Sequence, residues 1–136
     1  MVAASDRVAI AFHLSAGHCH DAPQGRLLLE SIKLEKLLKP DQRVNKIHLA
    51  MDRGYEDNET RKLVSDKGFE PLVPPKSNRK EPWEYDKKRY KRRNEIERMF
   101  RRLKGFRRVC TRYEKLDVMY LAFLNLALIF DELKLC

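Results

Sequence analysis

Paired cysteines, long apolar runs and a leader are what this sequence most lacks. The three cysteines, Cys19, Cys110 and Cys136, are odd in number and far apart. That argues against a disulfide framework and fits a reducing cytoplasm. The longest apolar run, Val118 to Phe130, is 13 residues and includes Asn125. It falls short of the roughly 20 residues that span a bilayer, so it reads as a buried helix and no membrane is expected. No charged-then-apolar signal peptide opens the chain. Internal repeats and low-complexity tracts are absent as well. Acids are scarce in one region only: from Lys76 to Arg112, 16 Lys/Arg meet 5 Asp/Glu, a net of +11, so the other residues together carry −2 of the chain's +9.

What is present is enough for a folded domain. The chain has 136 residues, 43% of them hydrophobic, so a single domain with a real core is expected and wholesale disorder is not. A basic segment this concentrated favours a polyanionic partner, nucleic acid first, over a merely solvated basic helix.

Arg7–Ser15 reads as a strand ended by Gly17, with no strand expected before it. Leu27–Leu38 carries leucines and Ile32 at mainly helical spacing, and Asp21 followed by Pro23 suits a helix N-terminus. Lys46–Met51 has strand character. Asn58–Lys67 reads as a short helix capped by Asn58 and stopped by Gly68, and Phe69–Val73 as a strand closed by Pro74-Pro75. Lys76–Glu84 is a polar, basic loop. A long helix is expected from about Tyr85 to Lys104, then a basic, irregular stretch over Phe106–Glu114. A last helix over about Leu116–Leu135 should pack across the sheet. The order is strand, helix, strand, helix, strand, helix, helix, which is α/β.

Two acids stand out. Asp52 directly follows a strand and precedes Arg53-Gly54-Tyr55, the place where ligands of α/β folds bind; a plain turn Asp is the other reading. Glu97 sits in a helix crowded with Arg and Lys. At about 100° per residue, Tyr90, Arg93, Glu97 and Lys104 fall on one narrow face. Ile96, Met99, Phe100 and Leu103 form the next stripe, and Arg98, Arg101 and Arg102 lie on the far side. Glu97 is therefore either a metal ligand or a surface acid, and Tyr90 either a contact to ligand or a core aromatic. Asp52 and Glu97 could share a hard divalent ion such as Mg²⁺, which takes oxygen ligands. Arg93 and Lys104 beside them would position phosphates. His18-Cys19-His20-Asp21 is a weaker metal candidate, because no second pair follows at zinc-site spacing.

These residues resemble a family. Tyr90, Arg93, Glu97 and Lys104 reproduce the Y-(2)-R-(3)-E-(6)-K signature of bacterial insertion-sequence transposases of the DDE type. Ala50–Tyr55 resembles the family's A-D-x-G-Y segment around its second acid. Pro74–Lys80 resembles its PP-R/K-x-N-R loop, and Phe106–Arg108 through Thr111–Lys115 its F-R-R-x-x-T-R-Y-D-K tail. Leu14–Asp21 is similar to the L-T-P-G-x-x-H-D loop. The likeness runs along nearly the whole chain and is closest to the insertion-sequence four/five superfamily.

The resemblance implies a partial ribonuclease-H-like fold of about three strands with flanking helices, forming the C-terminal segment of a catalytic core. It implies Mg²⁺ (or Mn²⁺) held by Asp52 and Glu97. Tyr90, Arg93, Lys104, Lys76, Arg79 and Arg101 would be the DNA-binding residues. The implied partners are the element's terminal inverted repeats and target DNA, in a bacterial cytoplasm and at the nucleoid. The family's first acid has no match: Asp6 fits a D-G-x-G-type turn instead of the catalytic strand. Its N-terminal DNA-binding region is unmatched too. The expectation is a chain inactive alone, completed by an upstream reading-frame product or a full-length transposase. The alternative is a non-catalytic DNA-binding fragment.

Overall fold

A computed structural model describes residues 1–15, 19–33, 47–111 and 114–133. They fall into two compact units, one made of Met1–Leu14 with Asn94–Cys136, the other of Ser15–Arg93.

The Ser15–Arg93 unit is a β-α-β arrangement with an added helix. α1 spans Asp21–Ser31, β3 Ile47–Ala50, α2 Asn58–Asp66 and β4 Phe69–Leu72. β3 and β4 pair in parallel, with Ile47 opposite Phe69 and Ala50 opposite Leu72. Parallel strands need a crossover, and α2 supplies it. α1 and β4 both pack against α2. Val64 and Val73 are fully buried, with Leu28, Leu29, Ile32, Met51 and Leu72 nearly so. α1 begins at Asp21, as the Asp-x-Pro pattern suggests, and stops after Ser31. The rest of the leucine-rich segment, residues 34–46, lies outside the described residues. α2 is capped by Asp57, not by Asn58: the Asp57 carboxylate accepts from the Thr60 N–H at 2.8 Å. That side chain satisfies a donor the helix start would otherwise orphan. Gly68 ends the helix with φ 84°, a conformation that favours glycine.

The other unit holds a strand that sequence reading did not expect. β1, Val2–Ala3, pairs antiparallel with β2, Ala9–Ala11. Ser5 holds the turn between them, its hydroxyl accepting from the N–H groups of Arg7 and Val8. The small β-permissive residues at the start of the chain therefore find a partner within a few residues.

The long helix appears in three pieces. α3 covers Lys87–Tyr90, a 3₁₀ turn covers Lys91–Arg93, and α4 covers Asn94–Leu103. Asp86 starts α3, accepting from the N–H groups of Lys88 and Arg89. Phe106–Glu114 is not irregular throughout: α5 forms over Arg107–Thr111. α6, Asp117–Glu132, packs on α4 and α5. Met99, Leu103, Leu124 and Ala127 make the core there, with Ala3, Ala9, Phe12 and Phe106 against it. The stripe expected on α4 is thus correct at Met99 and Leu103, whereas Phe100 stays 43% exposed.

Arg102, expected on the outer side, is turned inward. Its Nε donates to both oxygens of buried Asp131 at 2.9 and 3.0 Å. Arg7 donates to the Asp131 carbonyl at 3.0 Å, meeting a carbonyl in the last turn of α6. Asp6 pairs with Arg102 at 3.4 Å, in the turn between β1 and β2. Met99→Ala is expected to cost about 2–5 kcal/mol in urea unfolding, and Phe100→Ala far less.

Candidate active site

Because β3 and β4 are parallel, the segments that leave them emerge at the same end. Met51 N–H donates to Leu72 O at 3.0 Å, carrying the pairing one residue past β3. Asp52 comes next and is exposed, at the carboxyl end of the strands. The chain then makes a 3₁₀ turn over Arg53–Tyr55.

Three contacts hold the segment after Asp52. The Tyr55 ring lies on Gly25 of α1, so closely that a Cβ at Gly25 would sit 2.5 Å from its Cε1. Burial raises the Tyr55 phenol above its usual range, and the charges of Asp21 and Asp52 add to the effect. Glu56 turns inward beneath the loop that leaves β4. Asp57 caps α2 and pairs with Arg26 of α1 at 3.2 Å.

Glu56 organises the basic loop. Its carboxylate is buried, accepts from the Lys76 N–H at 3.3 Å, and pairs with the guanidinium of Arg79 at 3.1 Å and the ammonium of Lys76 at 3.5 Å. Arg79 also reaches the Glu56 carbonyl and the Asn58 side chain. A turn from Lys76 O to Arg79 N closes the loop. Trp83 completes the seal: its indole N–H donates to Val73 O at 2.8 Å, while the guanidinium carbons of Arg61 and Arg79 lie 3.5 and 4.5 Å from its ring centre. Of the two loop residues proposed from sequence as DNA contacts, Arg79 is turned inward and Lys76 stays half exposed.

Tyr90, Arg93 and Asp52 are brought together. Arg93 Nη1 lies 3.2 Å from Asp52 Oδ1, and its guanidinium carbon is 5.8 Å from the Tyr90 ring centre. Tyr85 meets Tyr90 edge to face at 5.6 Å. Burial raises the Tyr90 phenol; Arg93 opposes this and Asp52 reinforces it. Glu97, Arg101 and Lys104 belong to the other unit and are exposed on or just past α4. The single-face spacing of Tyr90, Arg93, Glu97 and Lys104 assumed an unbroken α-helix. The 3₁₀ turn interrupts that phase, and it holds from Glu97 to Lys104, whose N–H bonds Phe100 O at 3.0 Å. Of the His18–Asp21 cluster, His18 lies outside the described residues and Cys19 is a free thiol.

A family model described as "Transposase DDE domain" matches residues 1–130. The chain belongs to this family. No curated protein and no solved structure matches it. The α/β architecture with small sheets is compatible with a partial ribonuclease-H-like DDE domain. Members of the family act on DNA and generally use divalent metal ions. Within the Ser15–Arg93 unit, the residues described around Asp52 do not fit a bound ion. Among the described residues no three His, Cys, Asp or Glu side chains gather, and Asp52 is ion-paired with Arg93. No described helix is long and apolar enough to cross a membrane.

Sequence reading missed Glu56, Trp83 and Asp131. The only local signal was an acid two residues beyond Gly54; their hydrogen-bond partners lie from 10 residues away, Val73 for Trp83, to 124 residues away, Arg7 for Asp131. Burial alone would raise the Glu56 carboxyl, but the Lys76 N–H, Arg79 and the Lys76 charge outweigh it and hold it below its ordinary 4.5. A carboxyl depressed on folding adds stability at neutral pH, which is lost as pH falls through the folded value. Urea midpoints of the wild type should therefore drop as pH falls below 4.5. Glu56→Gln should flatten that slope and leave the part due to Asp57 and Asp86, whose carboxyls are also lowered.

Proposed function

We propose that this chain is the C-terminal catalytic segment of an insertion-sequence transposase of the four/five superfamily, folded over 1–136 as one functional domain. It acts in DNA cleavage and strand transfer at terminal inverted repeats, with Mg²⁺ (or Mn²⁺) as the cofactor of the completed site. Asp52 and Glu97 are the two acids it contributes. The observation that carries the reading is the family match along residues 1–130 together with the Tyr90-Arg93-Glu97-Lys104 spacing. Its support in the fold is Asp52, directly beyond a parallel strand and beside Tyr90 and Arg93.

Lys104, Lys76 and Arg101 are exposed cations that suit phosphates, as is the guanidinium of Arg93 once it leaves Asp52. Arg79 contributes to DNA binding by shaping the loop that carries Lys76. With two acids, the chain is inactive by itself and is completed by an upstream reading-frame product or a full-length transposase that brings the first acid. The Asp52–Arg93 pair also favours a second reading, a non-catalytic fragment that binds DNA and pairs with or inhibits full-length transposase.

Purified chain, incubated with inverted-repeat duplex and Mg²⁺, should bind without cutting. Added upstream segment carrying the first acid should restore cleavage, and Asp52→Asn or Glu97→Gln should return it to background. Cleavage by the unaided chain that these substitutions abolish would overturn the claim of incompleteness. Binding with no cleavage under either condition would select the second reading. Lys104→Ala should weaken binding across sequences and lower the salt slope by about 0.9, the value for one phosphate contact.

A further inference from the structure

α6 is apolar on the side turned away from its own core. Leu124, Ala127 and Asp131 face inward and are buried. On the opposite side Met119, Ala122, Leu126, Ile129 and Leu133 recur at steps of three and four residues, within an arc of about 80°. All five are exposed. A surface helix ordinarily turns charged and polar residues outward. Within α6 only Asn125 and, at the two ends, Asp117 and Glu132 do so. The ends of the stripe differ in shape. At its start Leu116 and Val118 project, 69% and 77% exposed. At its finish a groove of about 370 Å³ opens between β2 and α6, with Ala9, Ile10 and Phe12 on one wall and Leu128, Ile129 and Leu133 on the other. Glu132 also lines this groove, whereas Lys115 is exposed beside Leu116. Arg7, the groove's other charged residue, is held by Asp131.

We propose that this face pairs with the same face of a second copy of the chain, the two α6 helices running antiparallel about a two-fold axis. A two-fold axis presents one patch to itself, so each feature must find its complement elsewhere on that patch. Here it does. The projecting end meets the groove: Leu116 of the partner subunit enters beside Ile129 and Leu133, and the match is made twice. The small Ala122 faces Leu126 of the partner subunit, which lets the helices approach. Lys115 meets Glu132 of the partner subunit. A parallel pairing would set like ends together and leave both grooves unfilled. The area is sufficient as well. Leu116 and the five stripe residues expose roughly 600 Å² per copy, so pairing buries on the order of 1,200 Å², above the roughly 1,000 Å² that marks a specific interface. The chain's net charge of +9 opposes self-association in general. α6, however, carries three acids and no Lys or Arg, so that repulsion is weak at this face. The pairing does not depend on the roles of Asp52 and Glu97.

The test is sedimentation velocity of the nuclease-treated full chain over a range of concentrations, without DNA, with folding checked by circular dichroism. The wild type should form a dimer that persists at high salt, because apolar burial is not screened as surface charge is. Leu126→Glu should raise the dimer Kd at least about 30-fold, the effect of losing a central anchor. Ile129→Glu, at a separate exposed site, should do the same, so the result does not rest on the folding of one variant. Lys115→Glu and Glu132→Lys should each weaken the dimer about threefold, and the two together should restore it. A wild type that stays monomeric overturns the pairing, whether or not an upstream segment then covers the face. So does association that nuclease or salt removes, which is bridging by nucleic acid. A dimer indifferent to both Leu126→Glu and Ile129→Glu places the interface elsewhere, and failure of the charge swap to restore affinity overturns the antiparallel register.

Discussion

Charge balance is the constraint on which both units depend. The segment from Lys76 to Arg112 carries +11, and it folds against acids that come mostly from outside it. Glu56 takes Arg79 and Lys76, Asp52 takes Arg93, Asp131 and Asp6 take Arg102. These contacts are not equal in weight. Glu56 and Asp131 are buried, so losing either partner would strand a charge away from water, a costly event. Asp52 with Arg93 and Asp6 with Arg102 are more exposed, and pairs of that kind contribute little to stability. The buried pairs hold the structure, and the exposed ones are available to change.

That division separates shape from recognition in the basic segment. Arg79 and Arg102, spent on buried carboxylates, shape a loop and join α4 to α6. Lys76, Lys80, Lys87, Lys88, Arg101, Lys104 and Arg107 stay exposed, where a polyanion can meet them. Net charge alone would have credited all of these residues to a partner.

The elements that followed from local pattern were legible before the fold was known. β3, α2 and β4 appear within a residue or two of their expected bounds, because a short apolar run, a stop glycine and Pro74-Pro75 act within a few residues. Asp52 at a strand end was legible for the same reason. The reading went astray where a competing local choice decided the outcome. Asp57 outcompeted Asn58 as cap because its carboxylate reaches the Thr60 N–H. Val2–Ala3 became a strand because Ser5 closes a turn that brings Ala9–Ala11 back to it. The helix from Tyr85 was broken by a 3₁₀ turn that no glycine or proline marks.

By itself the sequence determined the basic character of the segment, the strand–helix–strand order of β3, α2 and β4, and the spacing of Tyr90, Arg93, Glu97 and Lys104. These depend on residue type and short periods along the chain. Tertiary structure decided which cations are spent. Arg79 meets Glu56 across 23 residues, Arg93 meets Asp52 across 41, and Arg102 meets Asp131 across 29. An ion pair depends on distance in space and on local burial, and neither is written in the spacing of charges along a chain.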